Sequence, residues 1–126
     1  MILALCKAVN ARWREAMPAG LPLHDEDGPS MGTPVPYARF SPPDSVPEYS
    51  FGGLSCETVM VHFDIYAQVR VEALGYFENL KAAFDDASFP VEGFELLKME
   101  RDGFHRAWES GAWRVIVPYT VQLQPL

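Results

Sequence analysis

Two stretches of the chain place apolar residues three or four positions apart, which is the spacing of one helix face. The first runs from residue 2 to about residue 17, with its apolar stripe at Ile2, Leu5, Cys6, Val9 and Trp13. The second runs from Glu72 to about Ala87, with its stripe at Ala73, Phe77, Leu80 and Phe84. The pattern therefore predicts two amphipathic helices, each followed by a proline that cannot continue it.

Alternation of apolar and polar residues predicts the strands. The clearest strand covers residues 57–66, where Val59, Val61, Phe63 and Ile65 alternate with Met60, His62, Asp64 and Tyr66. Another follows at 94–100, and Asp102-Gly103 predicts a tight turn into residues 104–108. The last predicted strand, 112–123, contains Pro118, which cannot donate a hydrogen bond to a neighbouring strand. We therefore expect this strand at a sheet edge, or bulged at the proline.

The segment from Pro18 to Pro47 differs from the rest of the chain, because it holds eight of the eleven prolines. It also contains several glycines and the acidic run Asp25-Glu26-Asp27. This composition predicts a long, largely extended loop, with room for a short strand around residues 36–41. Loops of this length in a compact domain usually carry a function or become ordered on binding.

The order of these elements is a helix, a long loop, a strand, a second helix and then two or three strands. This order predicts an α+β fold, in which an antiparallel or mixed β-sheet has two α-helices packed on one face, together with a long Pro-rich loop. No linker or internal repeat divides the 126 residues. We therefore expect a single domain, residues 1–126, with one hydrophobic core.

The balance of charges narrows the range of functions. The chain has 10 basic and 17 acidic side chains and a formal net charge of −7, so its surface as a whole repels phosphates. Sequence-specific binding of nucleic acid is not expected. The apolar N-terminal residues are interrupted by Lys7, Asn10 and Arg12, unlike a signal peptide or a membrane span. We expect a cytosolic protein without a membrane partner.

The sequence contains none of the familiar catalytic, metal or nucleotide motifs, and we expect no cofactor. His24 adjoins the acidic run, but consecutive loop residues do not converge on one ion, and we interpret the run as solvated. His62 and Asp64 share one face of a strand, where a structural or interface use is favoured over an acid–base pair. Cys56 lies about 20 Å from His62 along the strand, too far for a dyad. We interpret Cys6 and Cys56 as reduced packing residues.

Four runs of sequence carry a resemblance to a known family: residues 1–9 (MILALCKAV), 59–67 (VMVHFDIYA), 72–84 (EALGYFENLKAAF) and 113–121 (WRVIVPYTV). The strand end Asp64-Ile65-Tyr66 leads through a short polar link into an Ala/Leu-rich helix that begins with Glu72-Ala73. In these features the chain resembles the tail terminator, or tail completion, proteins of long-tailed bacteriophages. The long Pro-rich segment and the aromatic stretch 104–113 depart from the commonest pattern of that family. The related neck and head-tail joining proteins therefore stay an alternative.

The resemblance implies a non-enzymatic virion protein of the tail or neck, assembled in the host cytoplasm. Such a protein forms a homo-oligomeric ring of six copies that caps the tail tube protein and ends tail polymerisation. The ring then meets the head-tail connector or neck protein, and DNA passes through its lumen. An acidic chain and a proline-rich arm fit this role, because the first repels DNA and the second loses little freedom on docking.

We predict that the Pro-rich segment and the loop at Phe51 contact neighbouring subunits or the tail tube. The candidate interface residues are Asp25, Glu26, Asp27, Pro34, Pro36, Tyr37, Phe51, Gly52 and Gly53. Two other classes stay open. A small protein-binding adaptor would have the same acidic, motif-free composition, and the weakest alternative is an enzyme that uses His62 and Asp64.

Overall fold

The computed structural model of the protein describes residues 2–25, 28, 33–50, 53–109 and 111–126. Its elements are α1 (Ile2–Ala16), β1 (Leu23–Asp25), β2 (Tyr37–Ser50), β3 (Gly53–Ala67), α2 (Arg70–Phe84), β4 (Phe94–Arg101), β5 (His105–Glu109) and β6 (Ala112–Pro125). Both predicted helices and the predicted strands at 57–66, 94–100 and 112–123 are confirmed, with ends that differ by up to four residues.

In the described residues, six strands form one mixed sheet in the order β1-β2-β3-β6-β4, and β5 also pairs with β6. β1 runs parallel to β2, whereas all the other pairs are antiparallel. The central pair, β3 and β6, is in register from Glu57 opposite Leu123 to Ala67 opposite Trp113. The predicted α+β fold with a mixed sheet is therefore confirmed.

Both helices pack on the same face of the sheet, and their buried residues join those of β3 and β6 in one core. Trp13 of α1 and Phe84 of α2 both meet Phe63 at the centre of β3, with ring centroids 5.7 and 4.9 Å away. Trp13 Nε1 also donates to the carbonyl of Leu21 at 2.8 Å, which holds the chain where it leaves α1. The core therefore lies between the helices and one face of the sheet. Neither described helix is long and apolar enough to span a membrane.

The segment from residue 18 to residue 47 is not one long loop, so that prediction is wrong. Residues 23–25 form β1, and β2 runs for 14 residues from Tyr37 to Ser50, antiparallel to β3. The strand expected around 36–41 is therefore much longer than predicted. Pro42 and Pro43 coincide with a register shift between Ser41 and Asp44, where the bulged residues do not pair in the ladder. Prolines at this point do not end the strand.

β6 lies inside the sheet, which contradicts the expectation of an edge strand. It pairs with β3 on one side. On the other side, residues 112–116 of β6 pair with β5 and residues 119–125 pair with β4. Pro118 falls in the gap between β4 and β5, and its carbonyl accepts a hydrogen bond from Asp102 N at 2.9 Å. The N and C=O of one strand residue point to the same side, so the proline nitrogen faces this gap. The missing N–H group of Pro118 therefore interrupts no hydrogen bond between β6 and β4 or β5.

β4 and β5 lie end to end along β6, so Asp102-Gly103 does not form the predicted tight turn. β4 pairs with residues 119–125 and β5 with residues 112–116, both antiparallel to β6. The chain therefore keeps its direction through residues 102–104, where Gly103 has a φ of +113°. That conformation is available to glycine at no steric cost. The chain reverses only after β5, where Glu109 pairs with Ala112.

A partly buried polar contact fixes the end of α2 to the sheet. Asp85, directly after the helix, accepts a hydrogen bond from Tyr119 Oη at 2.6 Å and from Arg101 Nε at 3.0 and 3.1 Å. Burial of the phenol and the neighbouring Asp85 carboxylate raise the pKa of Tyr119 above its ordinary value of 10.0. The phenol therefore stays a neutral donor well into the alkaline range.

Candidate assembly interface

The sheet face opposite the helices carries charged residues at its centre, and no described helix covers it. Residues 59, 61, 63 and 65 of β3 and 115, 117, 119 and 121 of β6 are buried in the core, so the even-numbered positions between them belong to the opposite face. In β2 the core positions are Ala38 and Phe40, which places Arg39 on the open face. We call four charged or titratable residues at the centre of this face the arginine site: Arg39, His62, Asp64 and Arg114.

In the arginine site, two guanidinium groups from flanking strands meet one carboxylate on the strand between them. Arg39 Nη2 donates to Asp64 Oδ2 at 3.1 Å, and Arg114 Nη2 lies 3.3 Å from Asp64 Oδ1. His62 Nε2 lies 3.6 Å from Asp64 Oδ2. The register explains the meeting, because Arg39 lies directly opposite Asp64, and Arg114 is in the diagonal position, opposite Tyr66. Each carboxylate oxygen therefore faces one arginine.

Asp64 is fully buried although it lies on the open face. Its side chain is 0% exposed, whereas those of Arg39, His62 and Arg114 are 30, 29 and 22% exposed. Burial raises the pKa of Asp64, but the contact with His62, the charge of Arg114 and the hydrogen bond from Arg39 outweigh it. The pKa of Asp64 is therefore below its ordinary value of 3.8. The carboxylate stays ionised at neutral pH and holds both arginines in place.

Aromatic rings extend the arginine site toward β1. The guanidinium carbon of Arg114 lies 5.7 Å from the ring centroid of Tyr66, which is cation–π distance. Tyr66 stacks on Tyr37 of β2 at 4.8 Å, and the edge of His24 of β1 meets Tyr37 at 5.9 Å. These contacts join four strands across the open face and limit the orientations open to Arg114.

The predicted interface residues fall at opposite ends of the β2–β3 hairpin. Asp25, Pro34, Pro36 and Tyr37 lie at the end beside β1, where Asp25 is exposed and Tyr37 contacts His24. Gly53 begins β3 at the other end, opposite Ser50. Since β2 has 14 residues, these ends lie about 40 Å apart at ~3.3 Å per residue. Glu26, Asp27, Phe51 and Gly52 lie outside the described residues. The candidates thus belong to two surfaces.

The far end of the hairpin extends past the neighbouring strand β6. Pairing between β3 and β6 ends at Glu57, whereas β2 and β3 pair as far as Ser50 and Gly53. We call the paired residues 48–50 and 53–56 the hairpin arm. In the described part of the chain, no strand pairs with the outer edge of β2 beyond Phe40. A two-stranded hairpin is marginal on its own, and its open edge offers backbone groups to another chain.

The geometry favours a structural role for His62 and Asp64. Ser41 lies opposite His62 in the β2–β3 register and is buried, but no hydrogen bond joins these two described side chains. Asp64 is neutralised by the arginines, which removes the negative charge that would strengthen a histidine base. Among the described residues, no group of three or more His, Cys, Asp or Glu side chains is placed to hold a metal ion. Cys6 and Cys56, on α1 and β3, are half-buried, and no disulfide joins them.

A cleft of about 430 Å³ lies on another part of the molecule, between the end of α1 and the segment that leads into β1. Its lining is mostly apolar and includes Trp13, Met17 and Leu21, with Asn10 and Arg14 as polar members. Trp13 is already hydrogen-bonded to Leu21. The cleft therefore presents no pair of groups with acid–base or nucleophilic geometry.

Comparison with solved structures finds several chains with the same fold, and two of them align along nearly the whole chain. A chain from the virion of a native gene transfer agent particle aligns with a TM-score of 0.78 and 14% identity, over 98% of this chain and 96% of the other. A second protein, whose name states no function, aligns with a TM-score of 0.75 and 14% identity, over 100% and 97%. At such identity the likeness establishes a shared fold. No family model matches the chain, and no curated protein matches it.

Sequence reasoning found part of the arginine site and missed the rest. The shared face of His62 and Asp64 was predicted and is confirmed. Arg39 and Arg114 were missed, because both are far from Asp64 in sequence and only the strand register brings them together. One signal was present: each arginine stands between two apolar residues of a strand. That position indicates that the arginine lies on the polar face of its strand, but it does not reveal which side chain the arginine contacts.

Proposed function

We propose that the protein is a structural subunit of a phage-like virion. In this role, copies close into a ring of six that caps the tail tube, ends tail polymerisation and joins the tail to the head connector. The observation that carries the proposal is the likeness to a chain of the gene transfer agent virion, which covers 98% of this chain and 96% of the other. The resemblance of the sequence to tail terminator proteins supports the position in the tail.

The arrangement of the sheet edges supports a ring. The outer edge of β2 lies on one side of the sheet, and β4 and β5 lie on the other. A contact that joins these two different edges is heterologous, and heterologous contacts generate closed rings when the rotation between copies closes. The hairpin arm adds a second means of contact, since an extended segment can wrap a neighbour or reach a tube subunit.

The charge of the chain supports a role beside passing DNA. A net charge of −7 on each of six copies produces a surface that repels the phosphate backbone. A lumen of this kind does not retain DNA during passage. This role needs binding surfaces and no catalytic group, and a neck protein with the same fold would differ only in the neighbours it binds.

The proposal is tested in particles produced from the genome that encodes the chain. Mass spectrometry of purified particles should find the protein, and gold-labelled antibody should mark the junction of head and tail. Particles made without the gene should have tails of uncontrolled length that lack heads. Labelled particles with normal tail length but unjoined heads would favour the neck alternative. Complete particles that lack the protein would refute a virion role.

A further inference from the structure

We propose that the outer edge of β5, together with the side chains of Phe104, Arg106 and Trp108, binds a second copy of this chain. We call this strand edge and its three side chains the β5 surface. The inference rests on the proposed function, because it names the surface through which one copy in the ring accepts the next. Residues 104–108 are all exposed, although two of them are large aromatic residues, which proteins usually bury.

The side chains of the β5 surface lie on the helix side of the sheet. In the register of β5 with β6, Arg106 lies opposite Val115 and Trp108 lies opposite Trp113. Val115 belongs to the core, and residues directly opposite each other in a sheet share one face. Arg106 and Trp108 therefore project to the side on which the helices pack, and their alternation along the strand places them next to each other.

Both exposed rings rest on other aromatic side chains. The ring centroid of Phe104 lies 4.4 Å from that of Phe77 in α2, and the ring of Trp108 meets Trp113 edge-on at 5.6 Å. Phe104 is 42% exposed and Trp108 is 56% exposed. At the area of an aromatic side chain, the exposed parts come to roughly 200 Å², a quarter of the ~800 Å² that each partner buries in a standard interface. Rings already held in place also lose less entropy when a partner binds.

The edge of β5 is the sheet edge with the least protection against a further strand. Short strands, bulges, prolines and paired charges all discourage such pairing. β1 has three residues, and β2 contains three prolines and two register shifts. β4 has a register shift and carries the ion pair between Lys98 and Glu100. β5 has neither a shift nor a proline, and β6 is its one partner among the described strands. Its outer backbone groups are therefore available to an extended segment of another chain.

The charge of the β5 surface favours a second copy as the partner. Arg106 is exposed and forms no ion pair with a described residue. Each copy carries a net charge of −7, so a neighbouring copy offers carboxylates in excess. A cation within the contact offsets the repulsion between two acidic copies. Tryptophan and arginine are also the residues that most often dominate the energy of a protein interface.

The test compares Trp108→Ser with Leu3→Ser, which removes an apolar side chain that is 68% exposed on α1. Self-association is measured by sedimentation at several protein concentrations. We expect wild type and Leu3→Ser to associate alike, and Trp108→Ser to associate at least about tenfold more weakly, because a tryptophan at the centre of an interface is typically a hot spot. Far-UV circular dichroism checks that each variant is folded.

A second pair of variants guards against misfolding of the first. Arg106→Gln changes an exposed side chain that has no described ion-pair partner, and Lys7→Gln, at an exposed position of α1, changes the net charge equally. Arg106→Gln should associate at least about threefold more weakly than Lys7→Gln at low salt. This difference should shrink as salt rises, because salt screens the attraction between Arg106 and the carboxylates of the neighbour.

Hydrogen exchange locates the contact. In assembled wild type, the amides of residues 105–109 that face away from β6 should exchange more slowly than in the monomer, and unchanged exchange there would refute the inference. If Trp108→Ser and Arg106→Gln both form rings as readily as wild type, the inference is wrong and the proposed function stands. If wild type is monomeric at every concentration, the inference and the ring are both wrong. Normal rings of Trp108→Ser that no longer bind the tail tube protein would assign the β5 surface to the tube instead.

Discussion

Replacing Asp64 by asparagine removes a charge without changing the size of the side chain, and we expect a clear loss of stability. The carboxylate is fully buried between Arg39 and Arg114, so the variant leaves both guanidinium groups beside a neutral amide. Removing one partner of a buried ion pair costs about 3–5 kcal/mol. These arginines are partly exposed and regain some water, so we expect a loss of about 2–3 kcal/mol.

Urea unfolding followed by tryptophan fluorescence measures this loss, because urea does not screen charges. In thermal unfolding the same loss should lower Tm by roughly 6–12 °C for a domain of this size. The matched control is Glu78→Gln, which changes the net charge equally. Glu78 is 67% exposed and pairs only with Lys81, at 3.0 Å, among the described contacts, so its replacement should cost less than about 0.5 kcal/mol.

The pH dependence of stability provides a second check that the charge of Asp64 causes the loss. The pKa of Asp64 is lower in the folded protein than its ordinary value of 3.8. The ionised carboxylate therefore contributes fully to stability above that value, and its contribution is lost as the pH falls through the folded pKa. Asparagine does not titrate, so the difference between wild type and variant should shrink in the same range. A variant as stable as wild type, or a difference that is constant from neutral to acid pH, would refute the reasoning.

Four further predictions concern other parts of the fold. Tyr119→Phe removes the 2.6 Å hydrogen bond to Asp85 and should lower the free energy of unfolding by about 1–2 kcal/mol, measured in urea. A variant as stable as wild type would contradict this. Because the pKa of Tyr119 is raised by burial and by Asp85, wild-type stability should fall as the pH rises above about 10, and Tyr119→Phe should lose less over that range. Trp13→Phe leaves the Leu21 carbonyl without its 2.8 Å donor and opens a gap beside Phe63, so we expect a loss of about 2 kcal/mol, and no loss would show that the site repacks. In a deletion variant, residues 48–56 are removed and Pro47 is joined to Glu57 through an Asn-Gly turn. The fold should stay intact, because the described buried residues of β3 begin at Val59, whereas ring formation should be abolished. Rings of normal mass would exclude the hairpin arm from the contact between copies.

The elements that could be predicted from sequence are those whose pattern is local. The period of α1 and α2 and the alternation in β3 and β6 mark the faces that pack in the core, and the structure confirms them. β2 was missed beyond its first residues, because Pro42, Pro43 and Pro47 are typical of a loop. The strand accommodates the first two at a bulge, and its outer edge, the side away from β3, borders no described strand beyond Phe40.

The errors at β4, β5 and β6 have one physical origin. A turn signal such as Asp102-Gly103 and a proline in a strand are each ambiguous when read alone, since their effect depends on the strand opposite. In the sheet the two features face each other, where Asp102 N bonds to the Pro118 carbonyl. The break between β4 and β5 thus lies beside Pro118, which has no backbone N–H to donate. Only the register across β6 reveals that pairing.

The same limit applies to the candidate interface. Asp64 occupies a polar position in an alternating strand, and such positions are usually solvated. Its burial depends on Arg39 and Arg114, which reach it from two other strands. Asp25 lies in β1 beside the start of β2, whereas Gly53 lies at the other end of the β2–β3 hairpin. The length of β2 therefore separates the predicted residues into two surfaces, and their role in assembly stays a prediction.

The most direct test of ring assembly is the mass of the purified protein, measured by light scattering over a wide range of concentrations, with negative-stain images of the same fractions. A ring of six predicts about six times the 14.1 kDa chain mass and round particles with a central hole. A strict monomer at every concentration, or open filaments without closed rings, would contradict the account.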